Sequence, residues 1–84
     1  MTSFDPTKDK ILEKWINSET GLIVSINQYA NGSPKVQIGP RLLQLKDGSE
    51  VQRKAGRLTM EDLLFIYDII DEVKDKLAKA SRPE

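Results

Sequence analysis

The sequence predicts an α+β domain: a curved antiparallel β-sheet of three to four strands, closed by a long C-terminal amphipathic helix and preceded by a short N-terminal helix. Three observations carry this expectation. Residues 22–58 hold β-branched, alternating segments separated by turn clusters, and residues 59–80 repeat apolar side chains at helical spacing. The charge is also divided, because residues 21–58 carry six Lys/Arg (Lys35, Arg41, Lys46, Arg53, Lys54, Arg57) against two acids (Asp47, Glu50) in a chain whose net charge is zero. Both flanks are acidic, so the predicted strands are basic and the predicted helices are not. A sheet with one positive face is a physical basis for binding a polyanion on one side.

The N-terminal helix is expected because Asp5 can cap it, Pro6 suits a first helical position, and Ile11, Leu12, Trp15 and Ile16 form one stripe ended by Gly21. Trp15 is expected to pack against that stripe. The first strand covers 22–29, with Leu22, Val24 and Ile26 on one face and Ser25, Asn27 and Tyr29 on the other. Asn31, Gly32, Ser33 and Pro34 make a turn. A second strand follows from Lys35 to about Lys46, bent or bulged at Gly39-Pro40. Asp47-Gly48 is a hairpin signal, and a third strand runs from Glu50 to about Leu58, broken near Ala55-Gly56.

Thr59 begins the last element, since Thr59-Met60-Glu61-Asp62 matches a capping pattern with Asp62 at the third helical position. Leu63, Ile66, Tyr67, Ile70, Val73 and Leu77 form one apolar face, and Leu64, Phe65 and Ile69 extend beyond it. One sheet cannot cover so wide a surface. A helix-to-helix contact across a twofold axis covers the excess, which makes those six residues the expected dimer interface.

Composition limits the function classes. A chain of 84 residues forms one domain and buries only roughly 60 to 65% of the surface its unfolded form exposes. The absence of cysteine and histidine removes disulfides, thiolate sites and the commonest general base, so neither an enzyme nor a metal or cofactor is expected. Asp5, Asp9, Glu13 and Glu19 alternate with Lys8, Lys10 and Lys14, the usual dressing of an exposed helix. No run approaches the roughly 20 apolar residues of a membrane span, and the start MTSFDPTKDK lacks the apolar core of a secretory signal, so the expected setting is cytoplasmic or nuclear.

From Gly21 to Leu77 the chain resembles the single-stranded-DNA-binding domain of the positive cofactor four family of transcriptional coactivators. The resemblance rests on a strand ending in Tyr29, then Lys35-Val36-Gln37-Ile38 with Arg41 three positions on. It continues through an acid-Gly hairpin followed by Arg53-Lys54-Ala55-Gly56-Arg57-Leu58-Thr59, and ends with the acid-capped helix. It implies a homodimer joined through the C-terminal helices, whose sheets present ridges to single-stranded DNA. Residue by residue it implies that Tyr29 stacks on a base and that Lys35, Arg41, Arg53 and Lys54 contact the strand. Arg57 belongs to the same basic segment. Gln44 stands where members often carry a tryptophan, which leaves the chain one stacking platform fewer.

Each residue also has a plainer reading: Tyr29 as cover for a sheet edge, the basic residues as a solvated face, and Arg41 as the partner of an acid. The expected organisation is an N-terminal helical extension (1–20), a DNA-binding and dimerisation domain (21–80) and a tail (81–84). The expected function is single-stranded-DNA binding with little sequence preference in transcription, replication or recombination. Partners would be single-stranded DNA, with RNA, unpaired duplex regions and replication or transcription proteins as further candidates. The alternative is a small dimeric protein-interaction module whose basic sheet meets an acidic partner.

Overall fold

The computed structural model describes residues 6–81, so the expected cap at Asp5 and the tail residues 82–84 lie outside the described residues. After one 3₁₀ turn at Pro6–Lys8, the chain forms β1 (Asp9–Ile16), β2 (Leu22–Tyr29), β3 (Lys35–Gln44), β4 (Glu50–Arg53) and α1 (Met60–Ser81). The strands make one open antiparallel sheet in the order β1-β2-β3-β4, a simple meander. The architecture is α+β, as the patterning predicts. No helix among the described residues is long and apolar enough to cross a membrane.

The expected N-terminal helix is a strand. Ile11 pairs with Asn27 and Glu13 with Ile26, so β1 carries one extra residue, Leu12, at a bulge. The bulge makes the apolar positions recur at intervals that imitate a helical stripe, and the free edge of β2 supplies the backbone partners that win the segment for the sheet. With this strand the sheet has four strands, and residues 9–16 are one of them instead of a helix.

β2 occupies the predicted residues, rich in β-branched side chains and alternating from Val24 onward. A second bulge sits at Gly39-Pro40, where Leu22 pairs with Arg41 but Val24 with Ile38. At the next hairpin, Gly48 (φ +91°) closes a three-residue loop: its N–H donates to Leu45 O (3.0 Å), and Leu45 N–H to Ser49 O (2.8 Å). Asp47 braces the loop by accepting from the Ser49 amide and hydroxyl, bonds that hold its carboxyl below the usual carboxylate range. β4 is shorter than predicted. Its ladder with β3 ends at Arg41 opposite Arg53, next to Pro40, which has no N–H to donate.

Opposed residues share a face of the sheet, and α1 covers the face holding Leu22, Val24 and Ile26. Trp15, opposite Val24, donates its indole N–H to Glu72 Oε1; Glu13, opposite Ile26, lies 3.7 Å from Lys76 Nζ; and Arg41, opposite Leu22, reaches Asp62. The buried apolar core of the single chain is confined to Leu22, Ile23, Val24, Ile26 and Val73 among the described residues.

Gly21 (φ +77°) closes the β1–β2 connection against β3: an added Cβ would lie 1.9 Å from Leu42 O, and the Gly21 carbonyl itself accepts from Leu42 N–H (2.9 Å). Gly21→Ala is expected to destabilise the fold by about 3 kcal/mol or more, since strain and a backbone clash coincide. Urea denaturation measures this, and a midpoint equal to that of the wild type would contradict the packing described.

Candidate nucleic-acid interface

The face of the sheet opposite α1 is concave. Asp9, Ile11, Lys14, Ile23, Ser25, Asn27, Gln37, Gly39, Pro40 and Gln52 line a hollow of about 230 Å³ along it. Curvature leaves Ile23 and Ser25 buried although no helix covers them. Polar side chains tie the floor together: Ser25 Oγ donates to Asn27 Oδ1 (2.6 Å), Asn27 Nδ2 approaches Asp9 Oδ2 and Gln37 Oε1 (3.4 Å each), and Gln37 Nε2 donates to the Gly39 carbonyl (3.1 Å). Gln37, Gly39 and Pro40 also border a second hollow, of about 580 Å³, with Ile38, Lys54, Ala55, Gly56 and Leu58. The two hollows adjoin at Gln37, Gly39 and Pro40, giving a track that starts on the face opposite α1 and turns at the edge of β3 that β4 does not pair, where Ile38 belongs to the α1 side.

Tyr29 ends β2 on this concave face, opposite Asp9 and half-buried. Lys35 stands opposite Asn27 on the same face, and Lys54 borders the larger hollow. Arg53, on the edge strand, and Arg57, between β4 and α1, are exposed. Among the described residues Lys35, Arg53, Lys54 and Arg57 form no ion pair, so their charge is available to a ligand. The pairing of Arg53 with Arg41 assigns Arg53 to the α1 side of the sheet, so the track does not gather all the expected residues on one face.

Arg41 takes the acid-pairing reading. Its Nη2 lies 2.7 Å from Asp62 Oδ2 and its Nη1 3.1 Å from Oδ1, and the same guanidinium donates to the carbonyls of Thr20 and Ala55. Asp62 is wholly buried. Besides the arginine it accepts from Thr20 Oγ1 (2.6 Å) and from Thr59 N–H (3.0 Å), while its own N–H donates to Thr59 Oγ1 (3.2 Å). The predicted cap is thus present, with its carboxylate shared by a buried ion pair. The Arg41 guanidinium, with the Thr20 and Thr59 donors, holds the Asp62 carboxyl well below the usual carboxylate range against the opposing effect of burial.

The helix face predicted for dimerisation divides in two. Val73 is 3% exposed and Ile66 and Leu77 are half-buried against the chain's own sheet, whereas Leu63 (51%), Tyr67 (76%) and Ile70 point outward with Met60. Val73 is therefore a core residue. Trp15 likewise faces α1 and not the track. Sequence reasoning missed Lys14, because a helical reading of residues 9–16 made it one of several solvated lysines. It also missed the amides Asn27, Gln37 and Gln52 as a lining set; the alternation of β2 and β3 was the available signal.

Replacing Asp62 by Ala leaves the buried Arg41 unpaired and removes the cap, with an expected loss of about 3 to 5 kcal/mol. The depressed carboxyl also fixes the sign of the acid response. Above the unfolded-state value of about 3.9 its stabilisation is fully present, and below it stability falls as pH drops toward the folded-state value. Urea denaturation between pH 6 and pH 2, which are bounds taken roughly around that range, is expected to show a steeper acid loss in the wild type than in Asp62→Asn. Parallel curves would contradict the linkage.

Compared with protein-family models, curated proteins and solved structures, the chain matches none of them.

Proposed function

We propose that the chain is a homodimeric single-stranded-DNA-binding protein of the positive cofactor four type, with little sequence preference, serving transcription, replication or recombination. The observation that carries this reading is the hollow along the face opposite α1 and its neighbour at the unpaired edge of β3, with Tyr29 and Lys35 on that face, Lys54 at the neighbouring hollow, and no ion pair consuming the lysines among the described residues. A flexible strand laid on such a surface gains from phosphate neutralisation and from stacking, neither of which depends on base identity. The polar floor of Ser25, Asn27 and Gln37 offers hydrogen bonds to bases or sugars without a fixed code. Arg41 contributes by holding the scaffold, and the contacts fall to Tyr29, Lys35, Lys54 and Arg57, joined by Lys14, with Arg53 meeting a phosphate from the α1 side of the edge strand.

The homodimer is supported by the exposed row Met60, Leu63, Tyr67 and Ile70, which lies beside the buried stripe of the same helix. A second copy covers this row with its own and enlarges the small apolar core.

Titration of an unstructured thymidine oligomer tests the DNA reading. Binding is expected to exceed that of duplex, with log affinity falling against log salt by about 0.7 for each phosphate neutralised. Tyr29→Ala is expected to cost roughly 1 to 3 kcal/mol with little change in salt slope, whereas Lys54→Ala or Arg53→Ala lowers both affinity and slope. Equal affinity for single strands and duplex would favour the protein-interaction alternative, and an RNA oligomer of the same sequence measures polymer preference. Light scattering is expected to give twice 9.5 kDa for the wild type. Tyr67→Glu and Ile70→Glu are expected to dissociate the dimer, and a monomeric wild type would remove the twofold arrangement.

A further inference from the structure

Asp9 is the one acid that lines the hollow on the face opposite α1, and among the described residues it forms no ion pair. It stands directly opposite Tyr29 in the β1–β2 ladder, which puts the two side chains on one face with their Cβ atoms roughly 4.5 to 5.5 Å apart. Its Oδ2 lies 3.4 Å from Asn27 Nδ2, and that carboxamide is held in turn by Ser25 Oγ, which donates to Asn27 Oδ1 (2.6 Å). Ser25 is 2% exposed, so the arrangement is anchored in the floor of the sheet. A carboxylate has about four acceptor positions, and the Asn27 contact leaves room for further donors. Ile11, the next β1 residue lining the hollow, is 59% exposed on a side of the sheet that a contact through α1 does not reach.

An acid without a cation is out of place on a surface that meets phosphates, because like charges repel. What a carboxylate accepts from in a single strand is the edge of a base. The four bases differ there. Guanine carries two adjacent donors, N1–H and N2–H, spaced for the two oxygens of one carboxylate. Cytosine and adenine carry one amino group beside a ring acceptor, and thymine carries one N–H between two carbonyl oxygens that the carboxylate repels.

We propose that Asp9 makes the Tyr29 position selective for an unpaired guanine. The base stacks on the Tyr29 ring, Ile11 covers its flank, and the Asp9 carboxylate accepts from N1–H and N2–H. The proposal rests on the single-strand reading of this face and confines base preference to one nucleotide per protomer, while the phosphate contacts of the lysines stay indifferent to sequence.

The test uses fluorescence anisotropy with the full chain and labelled thymidine oligomers, one all-thymidine and the others with a single central guanine, cytosine, adenine or hypoxanthine. The guanine oligomer is expected to bind about fivefold or more tighter than the all-thymidine one, and hypoxanthine, which lacks the N2 amino group, is expected to lose most of that gain. Asp9→Asn is expected to hold the all-thymidine oligomer at least as tightly as the wild type, because a negative charge is gone, and to abolish the guanine preference. A carboxylate acting only through its charge would shift all the oligomers together and leave their ratios unchanged. The hypoxanthine comparison uses the wild type, so it decides the matter even if Asp9→Asn fails to fold. All-thymidine binding with no gain from guanine, equal binding of guanine and hypoxanthine, a larger gain from cytosine or adenine, or a preference retained in folded Asp9→Asn would each overturn the guanine site alone. No binding of any oligomer would overturn it together with the single-strand reading.

Discussion

The contact on which the rest of the structure depends is the buried pair Arg41–Asp62. One carboxylate collects donors from the β1–β2 connection (Thr20), from β3 (Arg41) and from the residue that caps α1 (Thr59), while the guanidinium also binds the carbonyls of Thr20 and Ala55. A buried ion pair is a weak source of net stability, since desolvation of both charges offsets most of the attraction. Its effect here is positional. It pins the N-terminus of α1 over the Leu22 end of β2, and it draws the segment after β4 inward at Ala55, leaving Lys54 and Arg57 outside.

That pair also sharpens the charge division. With Arg41 paired internally, the exposed basic residues of the 21–58 stretch are Lys35, Lys46, Arg53, Lys54 and Arg57, of which Arg53 lies on the α1 side of the edge strand, and β1 adds Lys14 on the face opposite α1. The acids of α1 stand on the other side of the sheet, and two of them, Asp71 and Asp75, are matched by lysines one turn away. A chain of zero net charge can therefore hold an uneven distribution, with Lys14 and Lys35 on the face opposite α1 and most of the acids along α1. Such a surface attracts an oppositely charged partner at short range, while at distances beyond about 8 Å in physiological salt the whole molecule is nearly field-free.

The apolar surface follows the same economy. A helix of 22 residues has more apolar positions than the narrow sheet beneath it can bury. Asp62, Ile66, Ile69, Val73 and Leu77 take the sheet side, while Met60, Leu63, Tyr67 and Ile70 form an adjoining exposed row. Leu64, one turn from both Met60 and Tyr67, widens that exposed row toward Glu61 and Asp68. One amphipathic element thus shows a buried apolar side and an adjoining exposed one, wider than a single hydrophobic stripe.

By itself the sequence determined the elements whose signals are local. β2 runs over its predicted residues because its β-branched run, alternating from Val24 onward, is bounded by Gly21 and the turn at 31–34; the Asp47-Gly48 hairpin and the Thr59–Asp62 cap form from chemistry contained within a few residues. Tyr29, Lys35 and Lys54 were legible as interface candidates for the same reason, since strand alternation and turn position place them. Tertiary structure decided everything that required a distant partner. Residues 9–16 became a strand because the edge of β2 was free, a fact no local window contains, and their bulge disguised a sheet edge as a helical stripe. Arg41 turned inward because Asp62, 21 positions away, was buried and needed a cation. Val73 and Tyr67, six residues apart on one apolar helix, were separated into core and surface by the width of the sheet beneath them. Apolar periodicity records that a side chain prefers cover, but only the packed arrangement specifies which surface provides it.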